Sequence, residues 1–129
     1  ALRSAASQLM LLVDTSIWVD HLRRGDAPLR TALERGQVGT HPWIIGEIAC
    51  GHLRQRERVL SLLGDLPQLS VATDQEVLHL IESQQLMGRG IGYVDVHLIA
   101  ACLISNVKLW TRDLRLHRVA VDVGIASDV

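Results

Sequence analysis

A chain of 129 residues is long enough for one domain with a real core and too short for two ordinary ones. Its 48% hydrophobic and 21% charged residues exclude a disordered chain, and its longest apolar run, residues 98–104, is far too short to span a membrane. A net charge of −1 exerts no global pull on nucleic acid; the Arg-for-Lys bias among the basic residues mildly favours anionic ligands but equally fits a GC-rich genome.

The first nine residues differ in character from the rest of the chain, and Met10 stands just before the first apolar run. Residues 1–9 are therefore read as an extension and residues 10–129 as a single domain, with Met10 as its natural start. The short N-terminal apolar stretch runs straight into Asp14, which is no secretory signal, so a cytoplasmic location is expected. Cys50 and Cys102 lie far apart in apolar surroundings and are expected to be buried free thiols.

Residues 9–13 are continuously apolar, as in a strand buried on both faces, and Asp14-Thr15-Ser16 ends that strand and caps a helix over residues 15–22. A second helix runs from Pro28 in its first turn to about Arg35, with Gly36 as its stop. Residues 38–41 predict a second strand, Pro42 opens a helix, and residues 54–63 form an amphipathic basic helix before a turn at 64–67. A third strand is expected at 69–72, then a helix from a capping box at Thr73 to about Met87. The glycine-broken loop 88–92 precedes a helix to Ile104, a fourth strand at 107–110, a short helical turn at 115–118 and a possible edge strand at 119–123. This alternation predicts an α/β fold with a central parallel sheet of four to five strands.

Four carboxylates stand out by position. Asp14 and Asp113 follow apolar strands, and Asp95 stands at a helix start; each has an ordinary explanation as a cap. Glu47 sits in a largely apolar helix with no Lys or Arg between Arg35 and Arg54 to pair with it locally, and a buried carboxylate needs a partner or a cation. In a doubly wound sheet the four could converge at the carboxyl ends of the strands. All-oxygen ligands select Mg2+ or Mn2+, tools of phosphoryl chemistry, whereas the six histidines form no zinc pattern. His41, His79 and His97 read as ordinary core or surface residues, and Trp18, Trp43 and Trp110 as packing rather than platforms for bases.

The segments VDTSIWVDHL, the isolated Glu47, GYVDVHLIAA and LWTRDLRL, in this order and spacing, resemble the PIN-domain ribonucleases, and among them the VapC-type toxins of bacterial toxin–antitoxin pairs. The resemblance spans nearly the whole chain. It implies a three-layer α/β/α fold with strand order 3-2-1-4-5, and Asp14, Glu47, Asp95 and Asp113 as an acidic quartet that is both catalytic and the ligand set for Mg2+ or Mn2+. It further implies supporting hydroxyls at Thr15, Ser16 and Thr111, and cleavage of structured RNA (tRNA or ribosomal RNA) by activated water. A homodimer, neutralised by a cognate VapB-type antitoxin, is the implied assembly.

Arg89, Arg112 and Arg115 flank the motifs and are candidates to hold RNA phosphates, as are Arg118, Arg23 and Arg24; a solvated surface explains each of them equally well. Two other readings stay open. One is an α/β phosphoryl-transfer enzyme with Asp14 as nucleophile, which would call for a lysine near the last acid; Lys108 is the only lysine. The other is a non-catalytic RNA- or protein-binding module whose acids are only caps.

Overall fold

Three short parallel strands form the centre of the computed structural model, which describes residues 10–129; the extension expected at residues 1–9 lies outside the described residues. Strand β1 (Leu11–Val13) runs between β2 (Val38–Gly39) and β3 (Lys108–Trp110), with Leu12 opposite Gly39 on one side and Leu109 on the other. All three residues of β1 are buried, as expected of a strand covered on both faces. Helices α1 (Thr15–Arg24) and α2 (Ala27–Glu34) connect β1 to β2. Between β2 and β3 come α3 (Pro42–Ala49), α4 (Arg56–Asp65), α5 (Asp74–Ser83) and α6 (Tyr93–Ser105), and α7 (Leu114–Asp122) follows β3. The core is aliphatic, built on Leu12, Ile17, Leu29, Ile44, Leu98, Ile99 and Leu109, with Trp18 and Trp110 buried among them.

The sheet is smaller than the four to five strands expected. Residues 69–72 form no strand: Thr40 and Gln68 make one parallel bridge beyond β2, with the Leu69 N–H donating to the Thr40 carbonyl at 2.8 Å, and the exposed Ser70 and Val71 are not paired. The edge strand expected at 119–123 is instead the second half of α7. Leu116, Val119 and Ala120 are buried at helical spacing while Val121 is exposed, so the alternating valines do not mark two faces of a sheet. Beyond β3 the single parallel bridge is made by Ala126, with the Ile125 carbonyl accepting from the Leu109 N–H at 2.7 Å. Helix α5 stops at Ser83 rather than near Met87, since Gln85 takes a left-handed φ of 54° and the Leu86 N–H turns back to the Ile81 carbonyl at 2.9 Å. Of the two free cysteines Cys102 is buried, its thiol pushed up to about 12 by burial, but Cys50 is exposed at the end of α3.

An ion-pair clamp fastens the end of β3 to the first two helices. The Arg112 guanidinium donates to Asp20 of α1 at 2.8 Å and to Asp26, the N-cap of α2, at 2.5 Å, and it lies over the Trp110 ring. Asp26 also accepts from the Leu29 N–H at 3.0 Å. Its burial would raise its pKa, but the Leu29 N–H and the Arg112 guanidinium outweigh that and hold it below the ordinary carboxylate value. A depressed folded value means stability that is present above the unfolded value of about 3.9 and lost as pH falls through the lower folded one. Replacing Arg112 by Ala is therefore expected to cost on the order of 1 kcal/mol at neutral pH, discounted for exposure. Urea titrations of parent and variant between pH 7 and pH 3 should show the difference shrinking toward the acid end.

Candidate active site

The β1–β3 register brings the first and last motifs together. Val13 pairs with Trp110, and the Asp14 N–H donates to the Trp110 carbonyl at 2.9 Å, so Asp14 and Thr111 leave the sheet side by side. Asp14 is only 7% exposed. Its Oδ2 accepts from the Thr111 hydroxyl at 2.7 Å and from the Ser16 hydroxyl at 3.0 Å. Each hydroxyl has one proton and gives it to Asp14. Each then accepts a backbone N–H with its oxygen: Arg112 N–H to Ser16 at 3.2 Å and Asp113 N–H to Thr111 at 3.1 Å. The 3.5 Å between the two hydroxyl oxygens is thus a contact, not a third hydrogen bond.

The other acids stand around this buried one. Glu47 lies between Ile44 and Ile48, whose side chains anchor α3 in the core, but is itself exposed rather than buried. Its Oε1 accepts from the Thr15 hydroxyl at 3.1 Å, which ties α3 to the start of α1. Asp95, in the first turn of α6, accepts from the Gly92 N–H through Oδ2 at 3.0 Å. Asp113 caps α7 with Oδ1, accepting from Arg115 N–H at 2.9 Å and Leu116 N–H at 3.2 Å. In all four carboxylates one oxygen is anchored within the chain and the other has no hydrogen-bond partner among the described residues.

Their charges act on one another. The Glu47 pKa is raised, first by loss of water around the carboxyl and then by the charges of Asp14 and Asp95, against the Thr15 bond that lowers it. Asp95 is raised by burial and by Asp14 and Asp113, against the Gly92 N–H. None of the four is in a salt bridge among the described residues. Hard oxygen donors with surplus negative charge fit Mg2+ or Mn2+. Among the described residues no three acidic, His or Cys side chains close around a single point. Mg2+ does not need such a cage: it keeps several waters and binds through one or two carboxylates plus substrate phosphate.

The basic residues flanking the motifs divide. Arg112 is committed to Asp20 and Asp26, and Arg89 donates to Asp122 at 2.8 Å, so both are engaged within the fold. Arg115 is exposed, its side chain lying across Gly90, where a Cβ would come within 2.8 Å of it. A cavity of about 640 Å³ opens beside Glu47, lined by Arg23, His52 and Arg54 together with Val19, Leu22 and Leu53. His52 and Arg54 are not legible in the sequence as site neighbours, since it is the loop after α3 that carries them back toward α1. Lys108 starts β3, at the end of the strand away from Asp113, and donates to the Gly124 carbonyl at 3.0 Å. The alternative with Asp14 as nucleophile thus lacks its lysine. His41 and His97 are buried and His79 is exposed.

The PIN domain family pattern matches residues 11–122. Two curated relatives, each called Ribonuclease VapC32, come from Mycobacterium tuberculosis strains CDC 1551 / Oshkosh and ATCC 25618 / H37Rv. Each is 45% identical over 118 residues, covering 91% of this chain and 95% of the relative. With a parallel α/β core and these relatives, the chain belongs to the PIN-domain family, and within it to the VapC-type ribonuclease toxins.

Proposed function

We propose that this chain is a Mg2+- or Mn2+-dependent endoribonuclease of a toxin–antitoxin pair. The observation that carries the reading is the pattern of four neighbouring carboxylates, each with one oxygen fixed and one free, and no internal cation against them among the described residues. The free oxygens of Asp14, Glu47, Asp95 and Asp113 would hold the ion. When bound, the ion polarises the phosphodiester and makes water a nucleophile near neutral pH. Ser16 and Thr111 keep Asp14 in one rotamer, and Thr15 does the same for Glu47. Arg23 and Arg54, which line the cavity beside Glu47, supply positive charge for RNA phosphates that the carboxylates would repel, with Arg115 on α7. Water rather than the 2′-hydroxyl as nucleophile leaves 3′-hydroxyl and 5′-phosphate ends. The substrate class is structured RNA, tRNA or ribosomal RNA, and the assembly a cytoplasmic homodimer silenced by a VapB-type antitoxin. No described helix is long and apolar enough to cross a membrane.

Incubation with total tRNA and ribosomal RNA, in Mg2+, Mn2+ or EDTA, tests this reading. Discrete, metal-dependent cuts are expected, and Asp95→Asn, which keeps an oxygen for the Gly92 N–H, should cut at least about 100-fold more slowly, the scale of several kcal/mol of transition-state stabilisation. A folded Asp95→Asn that cuts like the parent would sink the proposal.

The same charges predict a stability effect. A carboxylate whose folded pKa is raised contributes stability below its unfolded value and loses that contribution as pH rises through the folded one. In metal-free protein at neutral pH, Glu47→Gln should therefore melt a few degrees above the parent, with the gap closing as pH is lowered. Mn2+ should raise the parent's melting temperature more than the variant's. Calorimetry at two pH values, with and without Mn2+, reads all three effects.

A further inference from the structure

Where α3, α5 and α6 meet, a second cluster touches none of the four acids directly. Tyr93, the first residue of α6, donates its hydroxyl to Asp74 Oδ1 at 2.7 Å. Asp74 is the first residue of α5 and its side chain is 79% exposed, yet this oxygen also lies 3.4 Å from Nε2 of the buried His97. Among the described residues neither ring nitrogen of His97 makes a hydrogen bond, and the Asp74 carboxylate faces its Nε2. On its other sides His97 is held by aromatic rings: Trp43 lies at 4.2 Å between centroids and Tyr93 stands edge-on at 4.9 Å. Trp43 and Tyr93 in turn touch at 6.1 Å.

The chain positions of these groups matter. Trp43 is one helical turn before Glu47 on α3, so the two share a helix face. Tyr93 immediately follows Gly92, whose N–H fixes Asp95, and His97 is two residues beyond Asp95. The cluster thus grips the two helices carrying Glu47 and Asp95 at the turns next to those residues. The Tyr93–Asp74 bond anchors the grip to a third helix.

We infer that Asp74, Tyr93, His97 and Trp43 form a positioning bracket that sets the spacing of Glu47 and Asp95, with the Asp74–Tyr93 hydrogen bond as its tie. The inference rests on the metal-dependent nuclease reading and assigns residues to it that lie outside the acidic quartet. Ring contacts alone allow α6 to slide and tilt on α3. The tie removes that freedom at the first turn of α6, where a small rotation would move the free oxygen of Asp95 away from Glu47.

The test is Mn2+ affinity of the full chain, measured by calorimetry and by Mn2+ electron paramagnetic resonance, alongside melting temperature. Tyr93→Phe keeps the ring contacts and loses only the tie; Asp74→Ala loses it from the other side. Each should weaken Mn2+ binding about 10-fold, the lower edge of what loss of an outer-shell partner costs. The double variant should bind no worse than Asp74→Ala alone, which already removes the Tyr93 bond together with the contact to His97. Asp74→Asn retains an acceptor for the Tyr93 hydroxyl and should restore binding. Both residues are at the surface, so melting temperatures should stay within about 5 °C of the parent. Unchanged Mn2+ affinity in Tyr93→Phe overturns the bracket, as does a loss that Asp74→Asn shares in full. If Asp74→Ala does not fold, Tyr93→Phe decides alone. A parent chain that binds no Mn2+ overturns the nuclease reading itself, and the bracket with it.

Discussion

A carboxylate buried at the end of the central strand is the constraint on which the rest of this site depends. Asp14 leaves β1 where the sheet is covered on both faces, and burying a charge there is tolerable only if its oxygens are solvated by the protein. The solvation comes from hydroxyls, Ser16 from the next turn and Thr111 from the neighbouring strand. Hydrogen bonds to a charged acceptor contribute about 1.5–3 kcal/mol each. They do not cancel the charge. An arginine in place of either hydroxyl would have neutralised the site and closed it to an outside cation. Two neutral donors hold Asp14 in place without placing a cation beside it.

The chain is not short of positive charge. Arg112 begins beside the quartet, with its N–H on Ser16, and then sends its guanidinium away to Asp20 and Asp26. Arg89, three residues before Gly92, pairs with Asp122. Acids elsewhere on the surface absorb the nearby arginines, and the quartet is left without a counter-charge among the described residues. The net charge of −1 conceals this sorting. Asp20, Asp26 and Asp122 are each reached by a guanidinium, and Asp14, Glu47, Asp95 and Asp113 are not, among the described residues.

Much of this is legible in the sequence, for local reasons. An apolar run followed at once by Asp14 marks a strand end, and Asp95 and Asp113 open helices whose starts are readable from apolar spacing. The apolar surroundings of Glu47 imply burial, yet it is exposed; its buried neighbours Ile44 and Ile48 are what hold it in place. The alternating valines near residue 121 suggest an edge strand because period two and period 3.6 are hard to separate over five residues, and the Asp113 cap decides for the helix. The Arg112 clamp and the Tyr93–Asp74 tie join residues 86 and 19 positions apart, and no local pattern announces such pairs. The fate of an arginine side chain is a tertiary property.

Asp95 and Asp113 also dissolve an apparent choice between cap and ligand. A carboxylate has two oxygens, and in both residues one is spent on helix N–H groups while the other is not. Capping fixes the side chain's rotamer, and fixing the rotamer aims the remaining oxygen. Under the proposed function, the helix start would be the device that preorganises a metal ligand. Glu47 reaches the same state through Thr15, and Asp14 through Ser16 and Thr111. Stability and the proposed metal binding would therefore be separable at these positions. An amide can still accept the anchoring bond through its oxygen, but it brings no charge to the rim. An alanine removes both at once and so cannot tell them apart.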